Sequence, residues 1–291
     1  MKRLWFVLQS MRPLQWTKNC IVFAGVIFGA KLFDLPSLVK AIAAFLFFCG
    51  LSGCVYLIND AMDIERDAVH PDKRKRPIAS GRLGVTEAVW AATLLAFFCL
   101  VLGALLLGNS FFFCAIGYVF LMIAYSMCLK RFIILDALII SAGFVLRAAA
   151  GAFAVDVEIS SWLLACTIVG ASFLALCKRR AEIALLDKQA ERHRENLSEY
   201  TIPMLDQLTT VCCSATAVCY LLYALSPETI QKFHTNLFFL TFFPVLYGLM
   251  RYLVLSSKSE LVGKPERALV TDRPLIMAIL FWILTVVLIV Y

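Results

Sequence analysis

Asp60, Asp63 and Asp67 stand at spacings of three and four, directly after a hydrophobic run that ends at Ile58. At about 100° per residue, a helix continued through them puts the three carboxylates on one face, with Asn59 beside Asp63. Such oxygens are hard ligands, and Mg²⁺ takes one or two carboxylates while filling its other positions with water and phosphate oxygens. Just downstream, Lys73-Arg74-Lys75-Arg76-Pro77 offers cations to an anion, and arginine presents a planar fork suited to phosphate. Acid for a metal beside base for phosphate points to an enzyme acting on a phosphorylated substrate. Asp60, Asp63 and Asp67 are then the metal ligands and catalytic carboxylates, and Lys73 and Arg76 the phosphate contacts. Each half also has a plainer reading: ordinary surface acids on a helix at the membrane edge, and a basic run that only marks topology.

Further charges lie at the ends of other apolar segments or inside them. Lys178-Arg179-Arg180-Ala181-Glu182 follows the sixth segment. Arg179 and Lys178 stand three and four residues before Glu182, so the group can satisfy itself along a helix. Alternatively Lys178 meets a phosphate and Glu182 a hydroxyl or a second metal, with Arg180 pointing elsewhere. Asp136 and Arg147 both fall within the fifth segment, eleven positions apart and nearly on one face. Charges there are costly and normally face the interior with a partner, so each is either half of a salt bridge or part of an anion site. Tyr125, Ser126 and Lys130 end the fourth segment on the same side. Helix capping is a sufficient role for Asp272 ahead of Arg273-Pro274, and Arg267 in the same loop is a weaker candidate for the site.

The elements that position these groups are membrane helices. The chain of 291 residues is 62% hydrophobic, with a mean hydropathy of +0.84. Nine apolar spans are expected near 15–33, 37–58, 85–107, 110–129, 132–154, 160–177, 205–225, 236–256 and 274–291, each long enough for a hydrocarbon core about 30 Å thick. Residues 1–13 read as a short interfacial helix with Trp5, Phe6 and Leu8 toward the headgroups. With the amino terminus in the cytoplasm, 23 of the 27 Lys and Arg residues fall on the cytoplasmic side, a strong positive-inside signal. The net charge of +7 is therefore mostly topological, and nucleic-acid binding is a poor reading. The 11 Cys include no Cys-x-x-Cys and lie mostly within spans, as small hydrophobes, and 3 His argue against a histidine metal site. The long loops 59–84 and 178–203 each begin as continuations of their helices, since Gly and Pro are absent from 59–69 and 178–195.

Asn59-Asp60-x-x-Asp63-x-x-x-Asp67 after the second of nine spans resembles the first aspartate-rich motif of the UbiA superfamily of intramembrane prenyltransferases. The resemblance covers essentially the whole chain as one domain, 1–291. It implies an all-α integral membrane protein: nine transmembrane helices in a ring around a central cavity open laterally to lipid, with the active site at the cytoplasmic mouth. Ordinary members carry a second Asp-x-x-x-Asp where this chain has Lys178-Arg-Arg-Ala-Glu182. That departure, with His70-Pro-Asp-Lys-Arg-Lys-Arg76-Pro-Ile-Ala-Ser-Gly81, Tyr125-Ser-x-x-Leu-Lys130, Leu135-Asp136 and Gly143-Phe-x-Leu-Arg147, resembles the decaprenyl-phosphate phosphoribosyltransferase branch. The branch implies Mg²⁺-dependent transfer of 5-phosphoribose from phosphoribosyl diphosphate to a polyprenyl phosphate at a bacterial inner membrane, serving envelope glycan synthesis. Asn59, Lys73, Arg76, Lys178 and Arg179 would meet the donor, and Tyr125, Lys130, Asp136, Arg147 and Glu182 the ribose hydroxyls or the lipid phosphate. The alternatives are transfer of a prenyl group from its diphosphate to an aromatic acceptor, and a non-enzymatic lipid-phosphate binder or transporter.

Overall fold

The computed structural model describes residues 2–69, 73–186, 199–257 and 271–291, all helix, turn or connecting segment with no strand among them. Eight helices are long and apolar enough to cross a membrane among the described residues. In chain order the α-helices are α1 (Lys2–Ser10), α2 (Ala24–Phe28), α3 (Leu35–Met62), α4 (Ile64–Val69), α5 (Val85–Leu107) and α6 (Asn109–Met127). They continue as α7 (Leu135–Ala154), α8 (Ser161–Leu186), α9 (Ile202–Leu225), α10 (Pro227–Phe233), α11 (Phe242–Ser257) and α12 (Arg273–Val290). A multi-pass membrane protein follows from their number and hydropathy.

Three of the long helices start in the same way. Asp34, Thr201 and Asp272 each accept a hydrogen bond from the amide three residues on (Ser37, Met204 and Leu275), and a proline stands in the first turn behind each. The side-chain oxygen satisfies an amide without an intrahelical partner, and proline loses nothing there. Asp272 thus has the capping role expected of it. Outward faces keep large apolar side chains such as Phe97, Leu105, Phe281 and Leu288 exposed, as a hydrocarbon solvent allows.

The expected span at 15–33 takes a different form: a 3₁₀ helix over Pro13–Phe23 running into the short α2. Three residues per turn brings Trp16, Asn19 and Val22 to one side, and Asn19 and Val22 are buried there. Close packing holds this segment in place. A Cβ on Gly151 would lie 2.0 Å from the Val22 carbonyl oxygen, and one on Gly25 would lie 2.6 Å from the Cα of Ala152. Two backbones meet here without side chains between them, a small-residue contact of the kind that joins membrane helices.

The structure falls into two compact units, one of Met1–Leu129 with Leu146–Glu158, the other of Lys130–Val145 with Ile159–Tyr291. In the first, Phe48, Phe111 and Tyr118 are fully buried with Leu51 and Ala150, and the rings of Phe48 and Phe111 meet edge to face at 5.8 Å. In the second, Phe173 and Tyr252 meet edge-on at 5.5 Å within a cluster that includes Cys177 and Leu275. Lipid is as apolar as these rings, so fit and dispersion hold them more than exclusion of water. All 11 cysteines are free.

Candidate active site

The acidic motif lies at the end of α3 and in α4. α3 runs past Ile58 to Met62, which carries Asn59 and Asp60 on the membrane helix itself. Asp63 ends it at φ −95° and ψ 15°, so the single helix expected through Asp67 is interrupted. The interruption is slight. Asp63 N–H still donates to Asn59 O at 2.9 Å and Asp67 N–H to Asp63 O at 2.8 Å. Asp60 and Asp67 stay buried and Asp63 is half-buried.

Arg76 binds both buried carboxylates. Its Nη1 donates to Asp60 Oδ1 at 3.0 Å and to Asp67 Oδ2 at 2.5 Å. Two acids separated by seven positions thus share one guanidinium. The turn that delivers Arg76 is anchored from below: Ile78 and Leu83 are buried against Leu57 and Ala88, and Leu83 N–H closes on Pro77 O at 3.0 Å. Gly81 makes that turn at φ 73°, a conformation costly for a side-chain-bearing residue. Lys73, Arg74 and Lys75 form one turn of 3₁₀ helix beside it, with Lys73 half-buried and the other two exposed. His70 of the motif lies outside the described residues, as do Glu266 and Arg267 of the last loop.

A second cation on Asp60 was not among the sequence candidates. Arg12 donates from Nη2 to Asp60 Oδ1, and its guanidinium lies over the Tyr56 ring at 4.6 Å. Arg12 sits between α1 and the 3₁₀ segment with φ 54°, a left-handed conformation rare for a residue with a side chain. α1 is fixed beneath it, since Phe6, Val7 and Met11 pack on the Leu57–Ile78 cluster. α1 therefore also serves to place a charge.

Arg147 lies in the half of α7 that belongs to the first unit, and it is buried. Its Nε donates to Asn19 Oδ1 at 2.8 Å and its Nη2 to the Tyr118 hydroxyl at 2.6 Å. The guanidinium also stacks 4.3 Å from the centre of the Tyr118 ring. Asn19 in turn donates to Ser52 Oγ at 3.2 Å. Neither Asn19 nor Tyr118 stood out in the sequence, because an amide and a phenol in apolar segments look like incidental polarity. Tyr125 is half-buried near the end of α6, and Ser126 is buried there with its hydroxyl turned back to Met122 O at 3.0 Å.

In the second unit the charges form their own network. Asp136 is fully buried and binds Arg179 (Nε to Oδ2, 2.7 Å), so the salt-bridge reading of this residue holds. Arg147 is not that partner. At 1.5 Å per residue, eleven positions along a helix are about 16 Å, which is why one face does not bring the two together. Arg179 also donates from Nη1 to Glu182 Oε2 at 2.6 Å, the self-satisfying i,i+3 pair, and Tyr200 donates to Asp136 Oδ1 at 3.0 Å. Arg180 points elsewhere, onto Asp206 and the Ser256 carbonyl. Lys178 is half-buried one position before Arg179, and Lys130 is half-buried in the turn before α7.

No three His, Cys, Asp or Glu side chains converge as a ready-made metal cage among the described residues. Mg²⁺ that arrives with a diphosphate does not need one. Asn59, Asp60, Asp63 and Asp67 supply only oxygen, the donor set of a hard cation. Two of them already share one positive charge.

A family model for the UbiA prenyltransferase family matches residues 20–264. The chain belongs to that family. Membership makes it a membrane transferase. It is similar to the decaprenyl-phosphate phosphoribosyltransferase of Mycolicibacterium smegmatis, with 34% identity over 96% of this chain and 91% of that protein. The protein of the same name from Corynebacterium glutamicum is 31% identical over 98% of this chain and 86% of its own length. Among solved structures, a UbiA homolog from Archaeoglobus fulgidus bound to GPP and Mg²⁺ superposes with a TM-score of 0.69, covering 97% of this chain and 99% of that one. At 16% identity this likeness speaks for the fold alone.

Proposed function

We propose that this UbiA-family chain transfers 5-phosphoribose from phosphoribosyl diphosphate to a polyprenyl phosphate in a Mg²⁺-dependent reaction at the cytoplasmic face of a bacterial inner membrane. The observation that carries the chemistry is the pair of buried carboxylates, Asp60 and Asp67, gathered on Arg76 beside the basic turn 73–75. The near-full-length likeness to two decaprenyl-phosphate phosphoribosyltransferases supports this donor and acceptor. The family's nine-helix ring around a lipid-open cavity is part of this reading, with Pro13–Phe28 as the first, shorter member.

Asp60, Asp67 and Asp63, with Asn59, would hold the metal, which supplies charge neutralisation for the departing diphosphate. Arg76, Arg12 and Lys73 pair with diphosphate oxygens. Lys178 and Glu182 serve the phosphorylated ribose, an end that prenyl donors lack, while Arg179, expected on the donor, is buried and braces Glu182 from behind. Arg147, held by Asn19 and Tyr118, offers a fixed cation for the lipid phosphate, with Tyr125 and Lys130 as further contacts. The bond from ribose C1 to the diphosphate oxygen breaks, and one from C1 to a lipid phosphate oxygen forms. The nucleophile is already anionic, so no strong general base is required. Positioning and charge stabilisation carry the rate.

Membranes containing the full chain should label polyprenyl phosphate from labelled phosphoribosyl diphosphate when Mg²⁺ is present, and should not prenylate an aromatic acid from a prenyl diphosphate. The reverse pattern refutes the phosphoribosyl reading and leaves the family assignment intact.

A further inference from the structure

Four polar side chains of the second unit form a chain of hydrogen bonds in which only one reaches the surface. The backbone N–H of Ile134 donates to the Tyr200 hydroxyl at 2.7 Å, and that hydroxyl donates to Asp136 Oδ1 at 3.0 Å. Asp136 Oδ2 accepts from Arg179 Nε at 2.7 Å, and Arg179 Nη1 donates to Glu182 Oε2 at 2.6 Å. The side chains of Asp136 and Arg179 are 0% and 3% exposed, that of Glu182 26%, and Tyr200 is 4% exposed. A dissolved ligand can meet Glu182 and cannot meet the other three. The guanidinium between the two carboxylates donates to Glu182 Oε2 and so orients that side chain from its buried side.

The far end of the chain is fixed as firmly. A phenol hydroxyl has one proton, and with Ile134 donating to it that proton goes to Asp136. Burial pushes the Tyr200 phenol up to about 12, so it remains a donor across the working pH range. Ile134 holds φ 65°, an outlier for a β-branched residue that persists only where its surroundings enforce it. The Tyr200 ring packs with Ala137, Leu176 and Leu205, so the hydroxyl can be removed without emptying the core.

We infer that Tyr200 and Asp136 are positioning residues that act through Arg179 to hold Glu182 as the acceptor for the donor sugar's hydroxyls. This rests on the reading above that Glu182 meets phosphoribosyl diphosphate. A residue remote from the ligand is thereby assigned a selective effect on one of two substrates.

The test is steady-state kinetics of the detergent-solubilised full chain, varying phosphoribosyl diphosphate and polyprenyl phosphate separately. Glu182→Gln should raise the donor KM about tenfold or more, and Tyr200→Phe about three- to tenfold, the scale of one or two hydrogen bonds. Both should leave the lipid KM within about twofold, since the interactions removed are made only to the donor. The double variant should match Glu182→Gln alone, because the two act in series. A Tyr200→Phe protein with wild-type donor KM, with both KM values raised alike, or with an effect that multiplies onto Glu182→Gln overturns the inference. If Glu182→Gln itself leaves the donor KM unchanged, the reading of the site fails instead. Should Tyr200→Phe not fold, as judged by its unfolding temperature, Asp136→Asn is measured in the same way and must show the same selectivity.

Discussion

Replacing Arg76 by Gln tests whether the acidic cluster is built for a positive charge that a metal can supply. Asp60 and Asp67 are 2% and 4% exposed, and Arg76 is 25% exposed. Removing one partner of a fully buried pair costs about 3–5 kcal/mol, because the other charge stays desolvated. Water reaches a quarter of this guanidinium and Asp60 keeps Arg12, so the lower end, about 3 kcal/mol, is the expected loss. For a chain of this size that corresponds to a Tm lower by roughly 6–12 °C. Millimolar Mg²⁺ without donor should then raise the Tm of Arg76→Gln, by as much as about 2.7 kcal/mol of stability at a hundred times its Kd. The same Mg²⁺ should barely shift the wild type, where Arg76 already holds the carboxylates. Thermal unfolding in detergent, followed by tryptophan fluorescence, reads both effects. An unshifted Tm for Arg76→Gln, or an equal response of both proteins to Mg²⁺, would refute the reasoning.

Asp60→Asn and Asp63→Asn should each abolish turnover in the membrane assay while the protein still inserts and runs as a folded species; a fully active double variant removes the metal argument. Gly151→Ala places a methyl against the Val22 carbonyl, which has no flexible end to yield, and should cost about 1–3 kcal/mol, seen as a lower Tm together with weakened lipid-phosphate binding as Asn19 moves off Arg147. Asn19→Ala leaves a buried guanidinium donor without its acceptor and should cost about 1–3 kcal/mol in the same unfolding assay. Hydrogen bonds from Arg251 hold the Asp272 carboxyl below its ordinary 3.8. A depressed folded pKa means the contribution is full above that ordinary value and is lost as pH falls through the folded one, so Asp272→Asn should flatten the acid limb of stability below about pH 4.

Much of this candidate site could be read from spacing because its charged residues cluster locally. Asp60 to Arg76 is a single connection, and a helix period plus a basic run is enough to place its charges near one another. The helix spans were equally legible, since hydropathy and cap-x-Pro starts such as Thr201-Ile-Pro203 are local signals. What escaped is non-local. Arg12 reaches Asp60 across 48 positions, Asn19 reaches Arg147 across 128, and Tyr200 reaches Asp136 across 64. No periodicity connects such pairs, and the residues involved are ordinary polar types in apolar surroundings.

The form of the first expected span was not legible for a related reason. Hydropathy measures what a segment dissolves in, whereas the 3₁₀ stretch Pro13–Phe23 packs at Val22 on the backbone of Gly151, which is far away in sequence. That form has a chemical consequence. At three residues per turn, Asn19 comes into register with buried Val22 on the side facing α7, where it meets Arg147; at 3.6 per turn the two would be about 60° out of register. The tight winding thus gives a buried guanidinium its amide acceptor. It also leaves Arg12 at its start, in the left-handed turn from which it reaches Asp60. One departure from ordinary helix geometry therefore serves both the acidic rim at Asp60 and the buried cation Arg147.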